Sequence, residues 1–175
     1  TYNMNSCDTI EVFYNLRTDL DKLKYASHIT KIISDVTTEN QNSYLILQLF
    51  LNTLYMISET DKNRDLVLAI FKIKLMCLLG FKPNISECVT CKEKEVNFFS
   101  FKDNGLKCVN CAKQDTGAME ISKATETALK YIVLAPPKKL YSFNVKEDTI
   151  KELEIIGKLY TNDKLEKEYK LEDIY

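Results

Sequence analysis

The sequence predicts a mainly α-helical bundle with one inserted four-cysteine ribbon, and three observations carry that prediction. Apolar residues recur at the three- and four-residue spacing of helices along most of the 175-residue chain. Cysteines fall into two Cys-x-x-Cys pairs, Cys88 with Cys91 and Cys108 with Cys111, with sixteen residues between the pairs. The junction Leu79-Gly80-Phe81-Lys82-Pro83 separates the most apolar helical stretch from the first pair. Glycine favours the position just past a helix end, and proline cannot continue the helix.

Leu16, Leu20, Leu23, Ala26, Ile29 and Ile33 form one stripe of a first helix, which the polar cluster from Asp35 to Asn42 should end. Asn42 or Ser43 is placed to cap the next helix. Leu47, Phe50, Leu51, Leu54 and Ile57 share one of its faces, and the polar run Ser58 to Asn63 ends it. Leu66 to Leu79 is apolar almost all round, interrupted by Lys72 and Lys74, which two residues apart point to nearly opposite sides. A helix of that composition is expected at the buried centre of the bundle.

Beyond the second cysteine pair, Ser122 is a candidate N-cap for a helix carrying Ala124, Ala128, Tyr131, Ile132 and Ala135 on one face, which Pro136-Pro137 stops. Asn144 and Glu147 have the spacing of a capping box ahead of the stripe Ile150, Leu153, Ile156 and Tyr160. The last residues, Leu165 to Tyr175, alternate lysines and glutamates around Leu165, Tyr169 and Ile174, as a final docked helix or a frayed tail. The expected organisation is a helical core in two parts, residues 1–84 and 114–175, with the ribbon at 85–113 inserted between them.

Two residues between paired cysteines let the backbone fold back so that both sulfurs face one point, and a second such knuckle completes a tetrahedron suited to one zinc ion. The intervening Val96 to Phe101 is rich in β-branched and aromatic residues, and Asp103-Asn104-Gly105 is a turn signal, so a hairpin should bring the knuckles together. Cys88, Cys91, Cys108 and Cys111 are therefore the expected zinc ligands. Four protein thiolates leave no open position for water or substrate, which makes the metal structural rather than catalytic. Two disulfides are the competing account. The chain shows no secretory apolar segment at its start and leaves Cys7 and Cys77 over, which favours zinc in a reducing compartment. Lys92, Lys94, Lys107 and Lys113 would offset the local charge of about −2 on a four-thiolate zinc. Without metal, residues 85–113 are expected to lose their fold.

Hydrophobic residues at 45% and charged residues at 28% describe a globular chain able to bury a core. Its longest apolar run, Leu75 to Phe81, falls far short of the roughly 20 residues that span a bilayer, so no membrane partner is expected. The net charge of −1 is unevenly spread: residues 1–61, 62–113 and 114–175 carry −4, +5 and −2, so any phosphate-contacting face should lie in the middle. Enzyme chemistry has little to stand on. His28, the one histidine, lies within an amphipathic helical stretch without a nucleophile motif beside it; the four glycines form no phosphate-cradling loop. Cys7 and Cys77 read as small hydrophobes.

The run Leu16-Arg17-Thr18-Asp19-Leu20-Asp21-Lys22-Leu23-Lys24-Tyr25-Ala26-Ser27, then Phe71-Lys72-Ile73-Lys74-Leu75 through Leu78-Leu79-Gly80-Phe81-Lys82-Pro83, then the two knuckles flanking Phe99-Ser100, together resemble the bacterial DNA repair and recombination protein family RecO over nearly the whole chain. Members resemble a fusion of an N-terminal OB-fold barrel to a helical, zinc-bearing part, and this chain begins near where such a barrel would end. Members commonly carry a glycine just after the first knuckle and a double glycine before the second; Lys92 and the single Gly105 stand there here. The family's C-terminal segment tends to be more basic, whereas Lys164, Lys167 and Lys170 alternate here with Glu166, Glu168 and Glu172.

The resemblance implies a non-enzymatic recombination mediator of the bacterial cytoplasm, associated with the nucleoid. Its implied partners are single-stranded DNA, the tail of the single-strand-binding protein, a RecR-like protein and, indirectly, the recombinase filament, with strand annealing as a further activity. Lys102, Lys107 and Lys113, on or near the ribbon, are the lysines placed for phosphate contact. The alternative is a zinc-ribbon helical scaffold that binds only proteins.

Overall fold

Residues 6, 8–9, 11–38 and 43–171 are described by a computed structural model. Cys7, Asn42 and Ile174 lie outside the described residues. The first helical stripe begins with a single turn, α1 (Asn15–Thr18), and resumes as α2 (Leu20–Val36). The interruption is at Asp19, whose extended backbone and side chain cap α2 by accepting from the N–H groups of Asp21 and Lys22. Arg64 holds the same carboxylate at 3.0 Å.

Ser43 precedes α3 (Tyr44–Glu59) without a side-chain capping bond. The inner face of α3 is Leu49, Thr53, Leu54, Ile57 and Ser58, while Leu47 and Leu51 are 51% and 43% exposed. The expected stripe was thus rotated, because a helix that is apolar nearly all round gives periodicity no face to select. α4 (Arg64–Leu78), capped by Asn63 Oδ1 on the Leu66 N–H at 3.0 Å, is the expected centre, with Leu66 to Ile73, Leu75 and Met76 all buried. It packs on α2, α3, α6 (Lys123–Leu134) and, most extensively, α7 (Glu147–Leu165).

The two lysines of α4 diverge as their spacing requires. Lys74 Nζ donates to the carbonyls of Ile132, Val133 and Ala135 at 3.2, 3.1 and 2.9 Å, so a cation satisfies the orphan acceptors at the C-terminus of α6. Lys72 turns instead toward α7. α6 starts as expected, with Ser122 Oγ accepting from the Thr125 N–H at 3.2 Å, but its buried face is Thr125, Glu126, Ala128, Leu129, Ile132 and Val133, and Ala124 is exposed. Glu126 can be buried because Lys123 and Lys130 both pair with it at 2.6 Å.

Asn144 does not cap α7; Lys146 holds that position, and Asn144 Oδ1 accepts from Lys62 Nζ at 2.8 Å. The stripe Ile150, Leu153, Ile156 and Tyr160 is buried as expected. α7 ends at Glu166 in a left-handed conformation, and the chain folds back without a further helix turn. Tyr169 is buried and donates to Asp35 Oδ2 at 3.0 Å, beside the Lys167–Asp35 pair at 2.5 Å, so the described part of the terminal segment is a docked strap. No helix among the described residues is long and apolar enough to cross a membrane.

Candidate metal centre

The approach to the centre is set by the end of α4. Gly80, at φ +96°, follows the C-cap Leu79; its N–H reaches the Cys77 carbonyl and the Phe81 N–H the Met76 carbonyl, the paired bonds of a Schellman motif. Tyr160 of α7 fixes the exit by donating to the Phe81 carbonyl at 2.7 Å. The chain then passes Asn84, which pairs in parallel with Gly105: the Asn84 N–H donates to the Asn104 carbonyl and the Leu106 N–H to the Asn84 carbonyl, both at 2.9 Å.

The expected hairpin is present as β1 (Phe98–Ser100) and β2 (Gly105–Lys107), antiparallel with Phe99 opposite Leu106. Asn104 at the turn takes φ +53°, a conformation asparagine tolerates better than most residues. A third strand, β3 (Met119–Glu120), pairs with the other edge of β1, giving the order β2-β1-β3. Two residues of unremarkable composition carry no strand signal, so this edge was not legible in the sequence. The hairpin is docked on the helices: Phe99 is 1% exposed and meets Tyr160 edge-on at 5.5 Å, and Leu106 is fully buried.

Each knuckle closes by local backbone bonds. In the first, the Cys88 N–H donates to the Glu93 carbonyl at 2.7 Å and the Lys92 N–H to the Cys88 carbonyl at 3.0 Å, which forces Lys92 to φ +68°. That left-handed station explains why a glycine suits it; a lysine there costs about 1 kcal/mol. In the second, Cys108 precedes the single turn α5 (Val109–Ala112), and the Ala112 N–H donates to the Cys108 carbonyl at 3.0 Å. Gly105 permits the close approach between the two halves, since a Cβ there would sit 2.6 Å from both the Asn84 carbonyl oxygen and Val89 Cγ1.

The result brings the sulfurs of Cys88, Cys91, Cys108 and Cys111 within 4.8 Å of one another, with Cys91 and Cys108 at 3.6 Å. A tetrahedron with metal–sulfur bonds of about 2.3 Å has edges of about 3.8 Å, so the cluster could hold a metal ion. None of the described cysteines is bridged in a disulfide. Burial would raise the Cys88 thiol, yet the backbone N–H groups of Cys91, Cys108 and Thr90 bring it down to about 6, the environment a thiolate ligand needs. The donor set therefore fits a four-thiolate zinc. Cys88 and Cys108 are buried, while Cys91 reaches the surface.

The lysines separate. Lys102 lies exposed in the turn and Lys113 exposed beyond α5. Lys107, expected on a phosphate, is 5% exposed with its Nζ held by Asp103 at 2.5 Å and Asp115 at 2.8 Å. Asp115 also accepts from Ser100 Oγ at 2.6 Å, and the Lys107 ammonium followed by that hydroxyl holds its carboxyl below the usual range. Lys107 is thus a structural cation inside the ribbon, held by carboxylates four and eight residues away. Cys77 is half-buried in α4, away from the cluster, and burial pushes its thiol up.

Two comparisons bear on the whole chain. The family model described as "Recombination protein O C terminal" matches residues 17–172. The chain is 41% identical over 170 residues to a protein named DNA repair protein RecO from Acetivibrio thermocellus, covering 96% of this chain and 68% of that one. Proteins of the same name from Caldicellulosiruptor saccharolyticus and a Thermoanaerobacter species are each 28% identical, over 99% and 98% of this chain and 71% and 70% of their own lengths.

Proposed function

Because the chain belongs to the RecO family, we propose that it serves DNA repair and recombination as a non-enzymatic mediator, its ribbon held by one structural zinc on Cys88, Cys91, Cys108 and Cys111. The family match over residues 17–172 carries this reading. The four converging sulfurs support the zinc. The insertion of the ribbon between α4 and α6, with α4 packed on α7, supports a helical core in two parts, 1–84 and 114–175, around a ribbon at 85–113.

Single-stranded DNA is the proposed nucleic-acid partner, with Lys102 and Lys113 on its phosphates. The tail of the single-strand-binding protein, a RecR-like protein and the recombinase filament are the proposed protein partners in a bacterial cytoplasm. A shallow groove lined by Lys82, Pro83, Ile85, Lys130 and Leu134 offers an apolar floor beside the Lys82 ammonium, Lys130 being held by Glu126, and that is chemistry an acidic and hydrophobic tail would use. A scaffold that binds only proteins is the second reading, favoured by the exposed apolar side chains of Leu47, Leu51 and Tyr55 along α3.

Salt-dependent binding to an oligonucleotide tests the two. On the first reading log affinity falls linearly with log salt, and replacing both Lys102 and Lys113 by glutamine lowers that slope by about 1.4, at roughly 0.7 per single-strand phosphate contact. Undetectable binding at low salt would leave the protein-only scaffold.

A further inference from the structure

α4, α7 and the strap 166–171 enclose a cavity of 130 Å³ whose charged lining is Lys72, Lys158 and Lys170 against Asp65 and Glu154. Lys72 is 5% exposed and forms neither a hydrogen bond nor an ion pair among the described residues. The other deeply placed cations are matched: Lys107 by two carboxylates and Lys74 by three carbonyls. Neither acid of the cavity does the same for Lys72. Asp65 accepts from the Tyr25 hydroxyl, and Glu154 is an exposed side chain whose favourable field on Lys72 is outweighed by the unfavourable field of Lys158.

Burial, then Lys158, pull the Lys72 ammonium down to about 8, so at neutral pH it still holds its proton. The ammonium reaches the cavity's solvent, and the field of Glu154 offsets only part of what burial and Lys158 cost it, so an anion entering the cavity would stabilise it. The strap brings Lys170 to the mouth, because Tyr169 and Lys167 anchor it on Asp35; there Lys170 pairs with the exposed Glu168 at 3.3 Å, a contact an entering anion would compete with. The cavity is several times the space one water needs.

We propose that this cavity is an oxyanion site that takes a phosphate group, with Lys72 at its floor and Lys158 and Lys170 at its rim. The phosphate belongs to a nucleic-acid strand or is free inorganic phosphate; the site's chemistry is the same for both. The inference stands apart from the zinc ribbon and from Lys102 and Lys113.

The test is a titration of inorganic phosphate with the full chain, followed by phosphorus NMR at constant ionic strength with chloride as the balancing anion. Saturable binding is expected, weakened at least about tenfold in Lys72→Met, a change worth about 1.4 kcal/mol by the affinity relation. Lys72→Met removes a buried charge and keeps an unbranched side chain only one atom shorter, so it is expected to fold. The double variant Lys158→Gln, Lys170→Gln, which touches only exposed positions, should also weaken binding and leave the thermal midpoint unchanged. Displacement of phosphate by a single-stranded oligonucleotide assigns the site to strand phosphates; undiminished phosphate binding beside the oligonucleotide assigns it to the free anion. No saturable binding in the unaltered chain, or equal affinity in Lys72→Met, overturns the proposal.

Discussion

Removing zinc, by chelation or by Cys88→Ser, should melt the knuckles and spare the hairpin. The local backbone bonds that close residues 88–93 and 108–112 have little packing behind them, and sulfur ligation, worth on the order of 10 kcal/mol of folding free energy in small zinc modules, would hold them. The hairpin has a second source of stability. Val96, Phe99, Leu106 and Ile121 are 3%, 1%, 0% and 4% exposed, and their burial contributes about 2 kcal/mol each, an upper value because the unfolded chain already hides some of that surface. Strand pairing of Phe99 with Leu106 and the edge contact of Phe99 with Tyr160 depend on no sulfur. Amide hydrogen exchange separates the two parts. On metal loss the N–H groups of Cys88, Lys92 and Ala112 should lose at least about a hundredfold of protection, roughly 2.7 kcal/mol of local stability. The Asn97 and Ile121 N–H groups, which bond the Lys107 and Asn97 carbonyls at 3.2 and 2.8 Å, should lose less than about tenfold. Equal loss at all five amides would refute the docked hairpin and make the ribbon one metal-dependent unit, as the sequence alone suggested. Unchanged metal content in Cys88→Ser would refute the ligand set, whereas Cys77→Ser, remote from the cluster, should retain its zinc.

Gly105→Ala should cost about 3 kcal/mol in chemical denaturation, because the new Cβ would lie 2.6 Å from backbone and side-chain atoms and must open the Asn84 bridge with its two hydrogen bonds; a loss under about 1 kcal/mol would show that the strands separate freely. Lys92→Gly should stabilise the ribbon by about 1 kcal/mol by relieving its left-handed conformation, since the Lys92–Glu87 pair it forfeits is exposed and contributes little. Asp115→Asn should destabilise by about 3 kcal/mol at pH 7 by leaving Lys107 with one partner. The Asp115 carboxyl titrates below its unfolded value, so the stability it contributes is present above about pH 4 and lost as pH falls through the folded value. Stability of Asp115→Asn should therefore fall less steeply on the acid side, and parallel acid limbs would count against the pair.

The sequence by itself determined the parts whose signals are local. Cysteine spacing named the cluster, Gly80 and Pro83 marked the end of α4, Asp103-Asn104-Gly105 marked the hairpin turn, and Ser122 marked the start of α6, because turns, caps and ligand knuckles are each built within a few residues. The stripe of α7 was legible for the same reason, its polar face being polar. Tertiary structure decided what depends on residues far apart in the chain. It turned α3 by its choice of neighbours, added β3 to an edge the hairpin left open, and drew Asn144 to Lys62 rather than to a helix end. It also separated two lysines of one helix by their surroundings, Lys74 closing the end of α6 and Lys72 facing a cavity without a direct ion pair. Side-chain charge is written in the sequence, but its partner is chosen by whatever the fold brings within a few ångströms.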